Sequence, residues 1–335
     1  MTLTTVFLVG IVIIATVLAA RLWFVRRHKS QKLAIFKNEV SWFYKSIKPV
    51  MILAVMAFLY GLVNYLYVLQ SGSTFAPNYL NTLFTIFLGI YSAFEMYCCC
   101  FVSTTRAKPF SVFINIASLG LIGLVSFVLC NNFFRANQYP APADCASIDL
   151  PFEGEWVAIG AGATKLTNHH DRIPSQKYAI DIARIGDNGK LFIGEGKTSA
   201  ESNTFGARII SPVHGVVVFA VDGLEDDKSK KQLAGNHVIN QFGDEEYVAL
   251  AHFQKGSVQV QIGDTLRVGD EIARAGNSGN SDFPHLHIHV QNTPVYDIKN
   301  TLAKPFRFRE INRKRYFFST TERHAFLLSN DRVKK

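Results

Sequence analysis

Cysteine and proline are scarce in this 335-residue sequence, at 5 and 11 residues. Five cysteines are too few for a disulfide scaffold, and so little proline excludes a collagen-like or Pro-rich disordered chain. Charged residues make up only 18% against 48% hydrophobic, which also argues against disorder and against a long coiled coil. Carboxylates are nearly missing from the first 135 residues, which carry Glu39 and Glu95 against 11 Lys/Arg. The balance then reverses: residues 136–300 hold 14 basic and 21 acidic side chains, and residues 301–335 hold 10 and 3. The net charge of +9 is therefore the sum of unlike regions, which speaks against a nucleic-acid partner. A basic, apolar first third followed by an acidic middle predicts a membrane region joined to a soluble domain.

A bilayer core takes about 20 consecutive apolar residues as a helix. Four segments qualify, at about 5–25, 49–70, 79–101 and 110–134. The first loop between them holds Arg26, Arg27, Lys29, Lys32, Lys37, Lys45 and Lys48, the second (71–78) has no charge, and the third has Arg106 and Lys108. Lys/Arg-rich loops stay cytoplasmic, so the expected topology is multi-pass with the N-terminus and everything after the fourth helix outside. The start MTLTT lacks a positive n-region, so an uncleaved anchor is expected rather than a signal peptide. Glu95 near the cytoplasmic end of the third segment is either an intramembrane functional carboxylate or a Glu reaching the interface. Cys98, Cys99 and Cys100 read as small packing residues, and Cys145 stands alone in the soluble part with Cys130 as its one plausible partner.

Residues 136–150, with Pro140 and Pro142, read as a semi-rigid linker. Beyond it the periodicity changes to short alternating segments punctuated by Gly, Asn and Asp. Examples are 208–210, 215–221, 237–241, 247–252, 258–261, 271–275 and 285–291. Such a series predicts an all-β domain over 151–300, mainly antiparallel and sandwich- or barrel-like.

The chemistry concentrates in four places. His285, His287 and His289 alternate directly after a Gly/Asn loop, so in a strand they project from one face. Asp181 sits among apolar residues in Tyr178-Ala179-Ile180-Asp181-Ile182, where a carboxylate needs a partner such as a metal. His252 is a lone histidine in the apolar run Ala249 to Phe253, a pattern met more often in satisfied core histidines. His169 and His170 lie eleven to twelve residues before Asp181 and are either ligands or loop. Three His/Asp ligands with an open fourth position and no nearby cysteine is the catalytic rather than the structural zinc pattern.

Residues from about 155 to 298 resemble the LytM/lysostaphin-type zinc endopeptidases, peptidase family M23, which cleave peptide cross-links of bacterial cell walls. The run includes Ser211-Pro212-Val213-His214-Gly215, Gly235-Asn236-His237, Tyr247 to Phe253, Gly263-Asp264, Val268-Gly269-Asp270-Glu271-Ile272 and Gly276-Asn277-Ser278-Gly279-Asn280. It closes with Pro284-His285-Leu286-His287. The resemblance implies one Zn2+ per chain held by Asp181 and His287, with His285 and His252 as general acid/base and oxyanion stabiliser. The family's remaining ligand is commonly a His four residues before the Asp. Here that position is Lys177, so the third ligand is expected from upstream, at His170 with His169 as the alternate. His289 is extra and expected to be structural.

The implied function is a membrane-anchored zinc metalloendopeptidase hydrolysing peptidoglycan peptides at the bacterial cytoplasmic membrane, with its peptidase domain extracytoplasmic or periplasmic. Lys177 also favours an alternative of another class, a non-catalytic domain of the same fold that binds cell wall or activates a separate hydrolase. A biotinyl/lipoyl-type barrel, suggested by the Val-Gly-Asp turns, conflicts with the expected topology. The tail 301–335 mixes Arg307, Arg309, Arg313, Lys314, Arg315 and Arg323 with Phe306, Phe308, Tyr316, Phe317 and Phe318. It is either a basic aromatic surface for anionic lipid or wall polymer or an extension that covers the domain.

Overall fold

Alternation of apolar and polar residues organises the soluble part into strands, because successive side chains in a strand face opposite ways. The computed structural model describes residues 138–164, 168–193, 195–227, 232–297, 299–315 and 318–335. The four expected membrane segments, with Glu95, Cys98, Cys99, Cys100 and Cys130, lie outside these residues. Among the described residues no helix is long and apolar enough to cross a membrane.

Among the described residues fourteen strands follow in order: β1 (Ala146–Ile148), β2 (Glu155–Gly160), β3 (Ile180–Arg184), β4 (Arg208–Ile210), β5 (Gly215–Val221), β6 (Asn236–Gly243) and β7 (Glu246–Phe253) come first. Then come β8 (Thr265–Leu266), β9 (Glu271–Arg274), β10 (Leu286–Gln291), β11 (Ala303–Lys304), β12 (Phe306–Arg315), β13 (Phe318–Ala325) and β14 (Arg332–Lys334). Twelve of them form one sheet in the order β1-β12-β14-β2-β3-β10-β7-β6-β5-β8, with β11 beside β10 and β13 beside β12. β4 and β9 form a separate pair. The sheet is mixed rather than wholly antiparallel, because β1 runs parallel to β12.

Most expected strands form within a residue or two of their bounds. Residues 258–261 are the exception. The amides of Val258 and Gln261 are taken by the carboxylates of Asp222 (3.2 Å) and Asp264 (2.7 Å), which leaves too little of the backbone for a ladder.

Both ends of the chain segment bear on the sheet. The presumed linker is held down: Tyr139 stacks on Phe326 with ring centroids 4.9 Å apart, and Arg307 donates to Pro140 O at 2.7 Å. The 301–335 segment, expected as an extension, supplies β11–β14 and pairs β14 with β2. Several of its cations are matched within the domain: Arg309 with Asp149 (2.7 Å), Arg315 with Asp331 (2.6 Å), Arg323 with Glu310 (3.0 Å) and Arg313 with Glu322.

The main core includes Ile148, Leu150, Phe152, Trp156, Ile180, Ile182, Leu250, Leu286 and Ile288. On the other side of β2 and β3 a smaller cluster gathers Val157, Ile159, Ala183, Ile185 and Leu191. β3 is thus covered on both faces, between β2 and β10 in the middle of the sheet, with β7 on the far side of β10. Trp156 is fully buried, stacks on Phe152 at 4.4 Å and donates its indole N–H to Glu153 O at 2.9 Å. Trp156→Ala should cost ~3–5 kcal/mol of stability, read as a lowered denaturant midpoint. A loss under about 1 kcal/mol would mean the site collapses around the cavity.

Candidate metal centre

β3, β10 and β7 turn Asp181, His287 with His289, and His252 respectively away from the main core. Ile180 and Ile182 of β3 point into that core, so Asp181 between them points out. Leu286 and Ile288 of β10 do the same, leaving His287, His289 and Gln291 on Asp181's face. The register sets His287 directly opposite Asp181. His285, one residue before the strand, continues the alternation.

Asp181 is 5% exposed, and its two carboxylate oxygens meet two different imidazoles. Oδ2 lies 2.9 Å from His170 Nε2 and Oδ1 lies 2.9 Å from His287 Nδ1. His285 Nε2 stands 3.5 Å from Oδ1, and His169 Nε2 stands 3.7 Å from Oδ2. Gly160, where β2 shifts register against β3, lies alongside: a Cβ there would be in ordinary contact with Asp181 Oδ2 (3.4 Å) and the His169 ring (3.6 Å).

His170 gets its place from a short 3₁₀ turn, His169–Arg172. Asn168 caps the turn by accepting from His170 N at 3.1 Å, and its amide donates to Gly162 O and Ala179 O. Asn168 is itself fully buried, so its three hydrogen bonds anchor the turn to the domain. His170 is buried, whereas the His169 side chain is 67% exposed. Lys177 is exposed, with Nζ 5.3 Å over the Tyr178 ring. The position four residues before Asp181 thus turns outward, and the upstream turn brings an imidazole in its stead.

His252 is the sharpest departure from a core histidine. The β6–β7 pairing shifts register between Asn236 and His237, and His252 takes φ +67°. A left-handed backbone at a non-glycine residue costs about 1–3 kcal/mol and clusters at functional sites. The bulge re-aims the ring, which lies 4.8 Å from His285 and 5.8 Å from His287 between centroids. Its Nδ1–H donates to Ser278 O at 2.8 Å, so Nε2 is left as an acceptor. The Gly276–Asn280 loop therefore buttresses His252. Ser278 also fixes the loop, accepting from Asn236 N and donating to Phe253 O.

Electrostatics separate these groups. Burial alone would raise the Asp181 carboxyl, but the fields of His170 and His285 and their hydrogen bonds hold it well below the usual carboxylate range. Burial pushes His287 down to about 3, against the pull of its Asp181 hydrogen bond. Burial, then the nearby His285 and His287, push His252 well below an ordinary imidazole. Burial would lower His285 too, yet Asp181 outweighs it and raises the group.

The donor set fits zinc. It offers imidazole nitrogens and a carboxylate oxygen, no thiolate, and neutral His287 with a lone pair to give. Among the described residues, ligand atoms of His169, His170 and Asp181 all lie within 4.8 Å of one another. His287 adds the closer approach to Asp181 from β10. Sequence alone assigned no role to Asn168, Gln176, Ser278, Gln291 or Tyr296, which support the histidines directly or through a neighbour. Gln291 alone had a visible signal, since it continues the 285-287-289 alternation.

A search of curated proteins finds no match. Among solved structures, the chain is similar to a zinc-containing peptidase from Vibrio cholerae, with 26% identity over 27% of this chain and 24% of that one (TM-score 0.22). It is also similar to the catalytic domain of a prophage-encoded M23 protein from Enterococcus faecalis, with 16% identity, 47% and 93% coverage and TM-score 0.32. A third likeness is to pseudoalterin, a deep-sea M23 metalloprotease, with 14% identity, 55% and 95% coverage and TM-score 0.32. The model of peptidase family M23 matches residues 198–298, a span that holds His252, His285 and His287 but stops short of His169, His170 and Asp181. The likeness to peptidase family M23 thus lies in residues 198–298.

Proposed function

We propose that this protein is a zinc-dependent metalloendopeptidase hydrolysing peptide bonds of peptidoglycan. The observation that carries this reading is the buried Asp181 carboxylate shared between His170 and His287, with His252 and His285 beside it. The M23 match over three of these histidines supports it. His170, Asp181 and His287 would hold the metal, which when bound supplies a Lewis acid and a water of lowered pKa.

The chain's own groups do the rest. His252, kept neutral by burial and held by Ser278 O, has a free Nε2 to take a proton. His285, held by Phe283 O at 2.8 Å and favoured in its charged form by Asp181, is the donor to a developing oxyanion. Lys177, which favoured a non-catalytic domain, faces solvent, and His170 stands at Asp181 in its place. The apolar, carboxylate-poor first third supports placement at the bacterial cytoplasmic membrane through four helices, with this domain outside the cytoplasm. Peptidoglycan peptide is then the partner in reach.

Zinc content of the full-length chain tests the reading. About one zinc per chain is expected, lost in His170→Ala and His287→Ala and kept in His169→Ala, whose ring is exposed and more distant. Loss in His169→Ala with retention in His170→Ala would exchange the two ligands. Absence of zinc from the folded parent after supplementation would sink the hydrolase.

A further inference from the structure

His287 is joined on its far side to a chain of polar groups that the proposed chemistry leaves unused. His287 Nε2 lies 3.0 Å from His289 Nδ1, and His289 Nε2 lies 2.7 Å from Gln291 Oε1. Gln291 Nε2 in turn donates to Thr293 O at 2.7 Å and Val295 O at 2.8 Å. All three residues are 1% exposed, so water cannot substitute for a missing partner. Alternate residues of β10 place them in one row.

The two carbonyls decide every proton along this row. A carbonyl only accepts, so the Gln291 amide must turn its NH₂ toward residues 293 and 295 and its oxygen toward His289. That oxygen requires His289 to carry its proton on Nε2, leaving Nδ1 as an acceptor. His289 Nδ1 then requires the His287 proton to sit on Nε2. The consequence falls on the other ring nitrogen: His287 Nδ1 is left without a proton, 2.9 Å from Asp181 Oδ1. Two lone pairs facing each other at that distance repel, and a cation between them relieves it.

We infer that His289 and Gln291 are positioning residues that lock His287 in the Nε2–H tautomer and so present Nδ1 as a lone-pair donor to the metal. This rests on the zinc reading above and concerns how the ligand is prepared for the ion. Without the lock the better arrangement for the metal-free protein is the opposite tautomer, with Nδ1–H donating to Asp181. The lock thus withholds from Asp181 the proton that would otherwise compete with the ion. Gln176 braces the second histidine, with Oε1 3.0 Å from His170 Nδ1 and its amide donating to the Tyr296 hydroxyl.

The test is the His287 tautomer in the metal-free, 15N-histidine-labelled full-length chain at neutral pH, assigned against His287→Ala. The parent should show Nε2–H. Gln291→Leu and His289→Leu should both switch to Nδ1–H and bind zinc about 10–100-fold more weakly against a competing chelator. A row that only fills space would lower stability in both variants and leave the tautomer as it was. Nδ1–H in the parent, or Nε2–H kept in both folded variants, overturns the inference. Should the variants not fold, the parent's tautomer still decides. A parent that binds no zinc would remove the hydrolase reading while the tautomer result stands by itself.

Discussion

Asp181→Asn should abolish zinc binding and peptidoglycan hydrolysis together while leaving the sheet intact. Asparagine matches aspartate in shape and can still meet one imbalance of the surrounding hydrogen bonds, so the buried strand β3 keeps its packing. What it lacks is the charge. Asp181 is the one carboxylate placed between His170 and His287, and its loss leaves neutral imidazoles alone to hold a divalent ion. Removing a group that merely orients a ligand typically costs 10–100-fold in metal affinity, so removing a ligand itself should exceed about 100-fold. Chelator competition for affinity and release of amine termini from peptidoglycan for activity would show it. Zinc affinity within tenfold of the parent would mean that the carboxylate only orients histidines.

The same substitution has a metal-free consequence. The folded Asp181 carboxyl is held below its unfolded value. It therefore contributes stability above about pH 3.9, the ordinary aspartate value, and that contribution is lost as pH falls through the folded value. The stability difference between parent and Asp181→Asn should accordingly shrink in acid.

His252→Ala and His285→Ala should each lower the hydrolysis rate by about 10²–10³-fold, the usual effect of deleting one proton-transfer or oxyanion group. Zinc should be retained in both, since neither ring is one of the two that stand 2.9 Å from the shared carboxylate. The two effects should not add, because both act on the same developing charge and proton. The pH profiles separate the roles. His252 is kept neutral and His285 is favoured charged, so losing His252 should remove the acid limb of the profile and losing His285 the alkaline limb. Zinc lost with either histidine would make it a ligand. A rate within about threefold of the parent would take it out of the proton-transfer and oxyanion roles, whose loss costs far more.

Much of this site can be read along the chain because a strand has a period of two. His285, His287, His289 and Gln291 share a face by spacing alone, and Asp181 is marked by its apolar neighbours. The bulk of the strand order's raw material is likewise local: turns of Gly, Asn and Asp cut the chain into segments close to those observed. Composition also separates the carboxylate-poor first third from the acidic middle.

Other parts depend on encounters between distant residues. His287 meets Asp181 across 106 positions, and no local pattern states that β10 lies beside β3. His169 and His170 are equivalent in sequence; the turn capped by buried Asn168 puts one against the carboxylate and the other toward solvent. His252 reads as a core residue until the β6–β7 register slips and gives it a left-handed backbone. The tail's charges look free in sequence, yet β12–β14 bring Asp149, Glu310, Glu322 and Asp331 to them. The sequence by itself determined which side chains were chemically able to bind and transfer protons, since that is a property of residue type and strand period. Only the tertiary structure decided which of them converge, because burial and register set distance, and distance sets both pKa and ligation.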